Sequence, residues 1–290
     1  MRCACIDIGS NTTRLLVAEA AHGRLVALLE ERVFTSIGRR IDPRGAIAEG
    51  AIAEAVMIVA RQHAAARAAG AERIRVVATA AVRRATNRDA LVAALRDQAG
   101  IEVAVLSSAD EGGLPFAGAT RTLDAPLAGP LAIVDVGGMS TEIAVGTLAG
   151  GVDWLHSFPI GSGQLALRCR SDPPSEEDIA TMNATADAAF AGVPLPPFAH
   201  AIAVGGSAAS LPRIVGPVLD GRALDAALAK LRSAPAAELA RTHDLAPERA
   251  VLLPAGILVL AAASRRLGKS LRIGCGGLRE GVVLELADEG

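Results

Sequence analysis

Two hydrophobic periods alternate along the chain. Apolar residues recur at helical spacing over 46–69 with few breakers, and again over 89–99, which predicts two helices. Between and after them, the β-branched run 74–79 and the run 101–107, which ends in a polar turn, predict strands. Punctuation by Asp-Ala-Pro and Gly-Pro over 123–129 predicts a linker. Beyond it the pattern predicts a strand over 154–159, a helix over 175–191, and a proline-marked loop over 194–197. A strand over 201–204 then leads through Gly-Gly-Ser into helices around 224–239 and 252–267. A short strand over 271–274 and a terminal helix complete the pattern, which is that of an α/β protein.

One pattern occurs twice. Ile6-Asp7-Ile8-Gly9-Ser10-Asn11-Thr12-Thr13-Arg14-Leu15-Leu16-Val17 returns without a gap as Val134-Asp135-Val136-Gly137-Gly138-Met139-Ser140-Thr141-Glu142-Ile143-Ala144-Val145. Each copy is an apolar strand, a small polar turn and a second apolar strand, and so predicts a β-hairpin. A repeated Asp-x-Gly followed by the same pair of hydroxyls points to a duplicated domain. The expected division is 1–124 and 125–290, with the terminal helix free to pack back on the first domain.

Composition narrows the function classes. At 290 residues and 51 % hydrophobic content the chain can bury two cores, and with aromatics at 2 % these must be built from Ala, Val, Leu and Ile. A formal net charge of −2 argues against a nucleic-acid coat. Cys3, Cys5, Cys169 and Cys275 form no paired framework and read as buried, reduced thiols. The most apolar stretch, 250–264, is shorter than a membrane span and contains Pro254 and Gly256, and no signal peptide is evident. These features predict a soluble cytoplasmic protein without a membrane partner.

The glycine- and hydroxyl-rich turns expose backbone N–H groups, which suits them to phosphate. Gly9, Ser10, Asn11 and Thr12 form the first candidate cradle, and Gly137, Gly138, Ser140 and Thr141 the second. Asp7 and Asp135 close the strands beside them. Each either caps its own turn or holds a divalent ion, and the duplication favours the ion. Gly205, Gly206 and Ser207, between a strand and a helix, make a third glycine turn, and Ile160-Gly161-Ser162-Gly163 another with free amides. Asp110-Glu111-Gly112 either supplies a carboxylate that activates water or is the acidic first turn of a helix. Glu142 has the same ambiguity on its strand. Arg14, Arg39, Arg40, Arg83 and Arg84 are candidate phosphate clamps.

Taken together, these residues resemble the exopolyphosphatase/guanosine pentaphosphatase (Ppx/GppA) family nearly end to end. The resemblance rests on 7–15 and 135–142 as two phosphate loops, on Thr79-Ala80-Ala81-Val82-Arg83-Arg84-Ala85-Thr86-Asn87, on Asp110-Glu111-Gly112, on Gly205-Gly206-Ser207, and on Gly277-Leu278-Arg279-Glu280-Gly281. It implies a two-domain actin-like, ribonuclease H-like fold with an interdomain cleft, and a short form without the C-terminal helical domain of longer members. It further implies hydrolysis of terminal phosphate from polyphosphate, with Glu111 and Glu142 catalytic, and with Asp7, Asp135 and Glu142 holding Mg²⁺ or another divalent ion. Guanosine penta- or tetraphosphate is the alternative ligand, a homodimer is admitted, and a non-catalytic sensor is the rival class. Met139 departs from the family's third glycine, which leads one to expect a stiffer second loop.

Overall fold

The computed structural model describes residues 1–21, 24–123 and 125–289. Contacts divide the chain into two compact units, Met1–Thr122 with Gly276–Gly290, and Leu123–Cys275. The linker expected over 123–129 starts at this division, and its Asp124 lies outside the described residues.

In the first unit β1 (Arg2–Ile8), β2 (Thr13–Ala21) and β3 (Arg24–Val33) precede a 3-10 turn, Ile37–Arg40. Then come α1 (Glu49–Ala68), β4 (Arg73–Ala78), α2 (Ala80–Arg84), α3 (Arg88–Ala99), β5 (Val103–Val105) and α4 (Ser108–Arg121). The second unit opens with β6 (Leu131–Val136), β7 (Thr141–Thr147), β8 (Gly151–Phe158), α5 (Ser162–Ala166) and α6 (Glu176–Ala189). It continues through β9 (His200–Val204), α7 (Gly205–Ala208), α8 (Pro212–Val215), β10 (Val218–Leu219) and α9 (Gly221–Leu231). α10 (Ala236–Thr242), α11 (Pro247–Leu267) and β11 (Leu271–Ile273) complete it, and α12 (Leu278–Asp288) returns the chain to the first unit.

The sheets repeat one topology. The first runs β3-β2-β1-β4-β5, and the second, β8-β7-β6-β9-β11, matches it strand for strand before adding β10. In both, each of the first three strands is antiparallel to its neighbour among them, and the next two run parallel to the central one. Even the register shift recurs, at Val17/Ala18 and at Val145/Gly146, 128 positions apart in each case. This is the expected α/β, actin-like architecture, with its duplication visible in strand order and in local irregularity.

Local chemistry explains where element boundaries differ from expectation. The helix expected over 224–239 is two helices, because Pro235 cannot donate to a continuing ladder and instead precedes α10. The acidic segment after β5 is a helix start. Ser107 accepts from the Asp110 N–H and the Asp110 carboxylate accepts from the Ser107 N–H, a capping box. β3 is unanticipated, since Glu30, Glu31 and Arg32 interrupt its apolar alternation. The apolar stretch 250–264 extends to the 21 residues of α11, long and apolar enough in composition to cross a membrane. Here it is a core helix, mostly buried and packed on α5, α6, α7, α9, α10 and β6. The cysteines are all free, but only Cys3 and Cys5 are buried. Cys169 is half-buried and Cys275 exposed, a correction to the expectation of four buried thiols.

In the first unit, α12 covers Cys3, Cys5, Leu16 and Val77 with Val282, Val283 and Leu286. It also meets α4 backbone to backbone. A methyl group on Gly118 would collide with the Gly277 carbonyl, and one on Gly281 with the Leu114 carbonyl. Gly113, on the same helix as Gly118, faces open space. Gly→Ala inside a helix normally stabilises by about 1 kcal/mol, and Gly113→Ala is expected to do so. Gly118→Ala should instead destabilise by about 1–3 kcal/mol, the cost of overpacking. Denaturant titration of the two variants checks the opposite signs, and a stabilised Gly118→Ala would refute the close crossing.

Candidate active site

The two hairpin turns are built alike. The Gly9 N–H donates to the Thr12 carbonyl at 3.0 Å, and the Gly137 N–H to the Ser140 carbonyl at 3.0 Å. Ile8 then faces Thr13 and Val136 faces Thr141 as the strands close. Each turn is held from behind by another segment. The N–H groups of Ser36 and Gly38 donate to the carbonyls of Asn11 and Ser10, at 3.0 and 2.9 Å. Those of Ser162 and Gln164 donate to the carbonyls of Gly137 and Gly138, both at 2.9 Å.

With the carbonyls engaged in this way, the N–H groups of Ser10, Asn11 and Thr12, and of Gly138, Met139 and Ser140, donate to no backbone carbonyl among the described residues. Successive uncommitted N–H groups at a turn form an anion-binding concavity. The supports must approach closely. A side chain at Gly38 would collide with Ser10, and one at Gly161 with the Gly138–Met139 peptide. The 160–163 turn is therefore a support whose Ser162 amide is already used, rather than a further cradle. Met139 occupies the place that Asn11 holds in the first turn, and it is not among the non-glycine residues with positive φ. The turn accommodates a side chain there without left-handed backbone.

Two of the hydroxyls expected at phosphate point elsewhere. Thr141 is fully buried and donates to the Ile160 carbonyl at 2.7 Å, tying the second turn to its support. Ser207 is 1 % exposed, and Gly256 makes the room for its hydroxyl. Gly205 has φ +86°, and any side chain there would collide with the Asp135 carboxylate, so the third glycine turn lies directly against Asp135.

The carboxylates show how the copies diverged. Asp7 lies directly across the strand pair from Arg14, whereas Asp135 lies across from Glu142. The Arg14 Nε donates to the Thr12 hydroxyl at 3.1 Å. Glu142 is buried and accepts the Ser157 hydroxyl at 2.7 Å. The Asp7 Oδ1 is buried with no hydrogen-bond partner among the described residues. Loss of water raises the Asp7 pKa above the ordinary carboxylate value, Arg14 and Arg279 oppose the rise, and Glu280 adds to it.

Glu111 and Arg83, expected separately as base and clamp, are brought together. Glu111 is 4 % exposed. Its Oε1 accepts the Ala80 N–H at 2.6 Å, and its Oε2 lies 2.6 Å from the Arg83 guanidinium. Arg83 also donates to the Leu106 carbonyl at 2.9 Å. Asn87 donates to the Ile47 carbonyl and accepts the Ile47 N–H, at 2.9 and 2.8 Å, fastening the segment that supports the first turn. Arg40 is consumed in an ion pair with Glu54. Among the described residues, no cluster of three His, Cys, Asp or Glu side chains is arranged to hold a metal alone.

Exopolyphosphatase 2 of Mycobacterium tuberculosis is 35 % identical over 190 residues, covering 62 % of this chain and 59 % of that one. The chain thus spans less than two thirds of that relative's length. Exopolyphosphatase 1 of Mycobacterium leprae is 28 % identical, covering 99 % of this chain and 90 % of its own. A crystal structure of the Aquifex aeolicus Ppx/GppA family member superposes with a TM-score of 0.82 at 27 % identity, covering 100 % of this chain and 99 % of that one. Residues 16–289 match the Ppx/GppA phosphatase family, and the chain belongs to that family.

Proposed function

We propose that this protein is an exopolyphosphatase that removes the terminal phosphate of inorganic polyphosphate by water attack. The observation that carries the reading is in the first unit. A turn whose N–H groups donate to no backbone carbonyl among the described residues is braced by the 36–47 segment, which Asn87 fastens to the polypeptide just after α2, and Glu111 meets α2 at its other end. The N–H groups of Ser10, Asn11 and Thr12 stabilise charge growing on the phosphoryl oxygens, and Arg14 adds a cation beside them. Glu111 accepts a proton from the attacking water as its oxygen bonds to phosphorus. The bridging P–O bond then breaks, and the shortened chain leaves with that bond's electrons. In the second unit, the turn 137–140 offers a second cradle of the same construction.

A divalent cation fits the carboxylates present. In the first unit Asp7 keeps a buried oxygen without a hydrogen-bond partner among the described residues, and in the second unit, separately, Asp135 and Glu142 place two carboxylates opposite one another. Mg²⁺ typically takes one or two carboxylates and completes its shell with water and substrate phosphate. When bound, such an ion would neutralise phosphate charge.

Phosphate release should be measured in parallel from short- and long-chain polyphosphate, guanosine pentaphosphate and ATP. Release from polyphosphate is expected to dominate, and preference for guanosine pentaphosphate would overturn the substrate reading. Glu111→Gln should lower turnover by at least about 100-fold, the lower range for a general base. Turnover within tenfold of wild type would remove Glu111 from that role.

Asp7→Asn separates stability from activity. Because folding raises the Asp7 pKa, the folded state binds this proton more tightly than the unfolded chain. The group's contribution is therefore fully present below the ordinary carboxylate pKa and is lost as pH rises through the raised value. At pH 7 Asp7→Asn should melt at or above the wild-type temperature while losing Mg²⁺-dependent phosphate release. Thermal melts across pH 3–8 should show the two proteins converging at the acid end, and a variant less stable only at neutral pH would contradict the assignment.

A further inference from the structure

The arginines near the first turn fall into two groups. Arg40 pairs with Glu54, Arg44 with Asp42, Arg83 with Glu111 and Arg88 with Asp89, while Arg14 bonds to Thr12. Arg39 and Arg84 are exposed, and neither side chain makes a hydrogen bond or ion pair among the described residues. Their positions are nonetheless fixed. Arg39 follows Gly38, whose N–H donates to the Ser10 carbonyl and on which a side chain would collide with Ser10. Arg84 ends α2, which packs against the Ile37–Arg40 turn and begins where the Thr79 N–H donates to the Ile8 carbonyl, at 3.2 Å.

Two exposed guanidinium groups without an ion-pair partner among the described residues thus sit on neighbouring one-turn elements. They suit a ligand whose negative charge repeats along its length. From this placement we infer that Arg39 and Arg84 grip the second and later phosphates of a linear polyphosphate whose end lies in the first turn, and so set a preference for longer chains. This inference rests on the proposed function, since it takes the first turn as the terminal-phosphate cradle. It goes beyond that reading in naming the residues that sense chain length. A single orthophosphate cannot occupy the cradle and both arginines, and a linear chain can.

The test is equilibrium binding of tripolyphosphate and of a long-chain polyphosphate to Glu111→Gln protein, alone and combined with Arg39→Ala, Arg84→Ala or both. Each arginine change should weaken long-chain binding by about tenfold or more, as for hydrogen bonds to charged groups. Tripolyphosphate binding should weaken less, and raised salt should erode the long-chain advantage. Equal weakening for both ligands, or none for the long chain, would overturn the track. Steady-state assays of the same arginine variants with Glu111 intact separate the two readings. If wild type binds long chains through these arginines yet releases no phosphate, the hydrolase reading falls and the track stands. If no polyphosphate binds at all, both fall.

Discussion

A buried carboxylate is tolerable only when its charge is compensated, and Glu111 is compensated by elements far from it in sequence. Its Oε1 takes the N–H of Ala80, the first residue of α2, where the helix dipole is positive, and its Oε2 takes Arg83 one turn later. Losing either partner would leave a charge in the interior, a far larger penalty than losing a surface pair. α2 must therefore sit against α4. Because Asn87 follows α2 and clasps the backbone of Ile47, the same constraint positions the segment whose Ser36 and Gly38 amides shape the first turn. On its far side α4 is fixed by the glycine contacts with α12.

The duplicated hairpins share backbone, hydrogen bonds and bulge position, so their difference lies in side chains. At one equivalent position the first copy carries Arg14 and the second Glu142, each directly across from an aspartate. The first copy thereby sets an arginine across from its aspartate. The second places two carboxylates opposite one another. A single difference in a repeated frame thus gives the two turns different charged neighbours.

Much of this was legible in the chain because it depends on local pattern. The Asp-x-Gly repeat read directly as two hairpins, since their turns are set by residues adjacent in sequence. Glu111 and Arg83 were legible one at a time, while their pairing was not, because it depends on α4 and α2 meeting. Gly38 and Gly118 carry no local signal, and the motifs that contain Gly161 and Gly281 do not show what presses on them. Each is a glycine because a distant backbone or side chain presses against it. Thr141 and Ser207 misled for the same reason. A hydroxyl beside a glycine turn looks available in sequence, and only the packed interior shows one bonded to Ile160 and the other facing Gly256.

The polar atoms left without partners show where the fold gives up stability. Asp7 Oδ1 ends β1 beside the first turn, and Ser207 Oγ lies in the third glycine turn, against Asp135's neighbour. Gln62 Oε1 is buried on α1, its amide reaching only weakly, at 3.5 Å, to the Thr13 carbonyl behind the first turn. Buried polar groups elsewhere in proteins are overwhelmingly paired, and an unpaired one costs about 1–3 kcal/mol. Arg2 Nε, at the opposite end of β1, is also buried without a hydrogen-bond partner among the described residues, so such atoms are not confined to the turns; the Asp7 oxygen beside the first turn is the one placed to meet a charged ligand. Groups already desolvated and fixed need no reorganisation when charge develops beside them. The hydrogen bonds that brace the turns from behind are then what lets the fold sustain that cost.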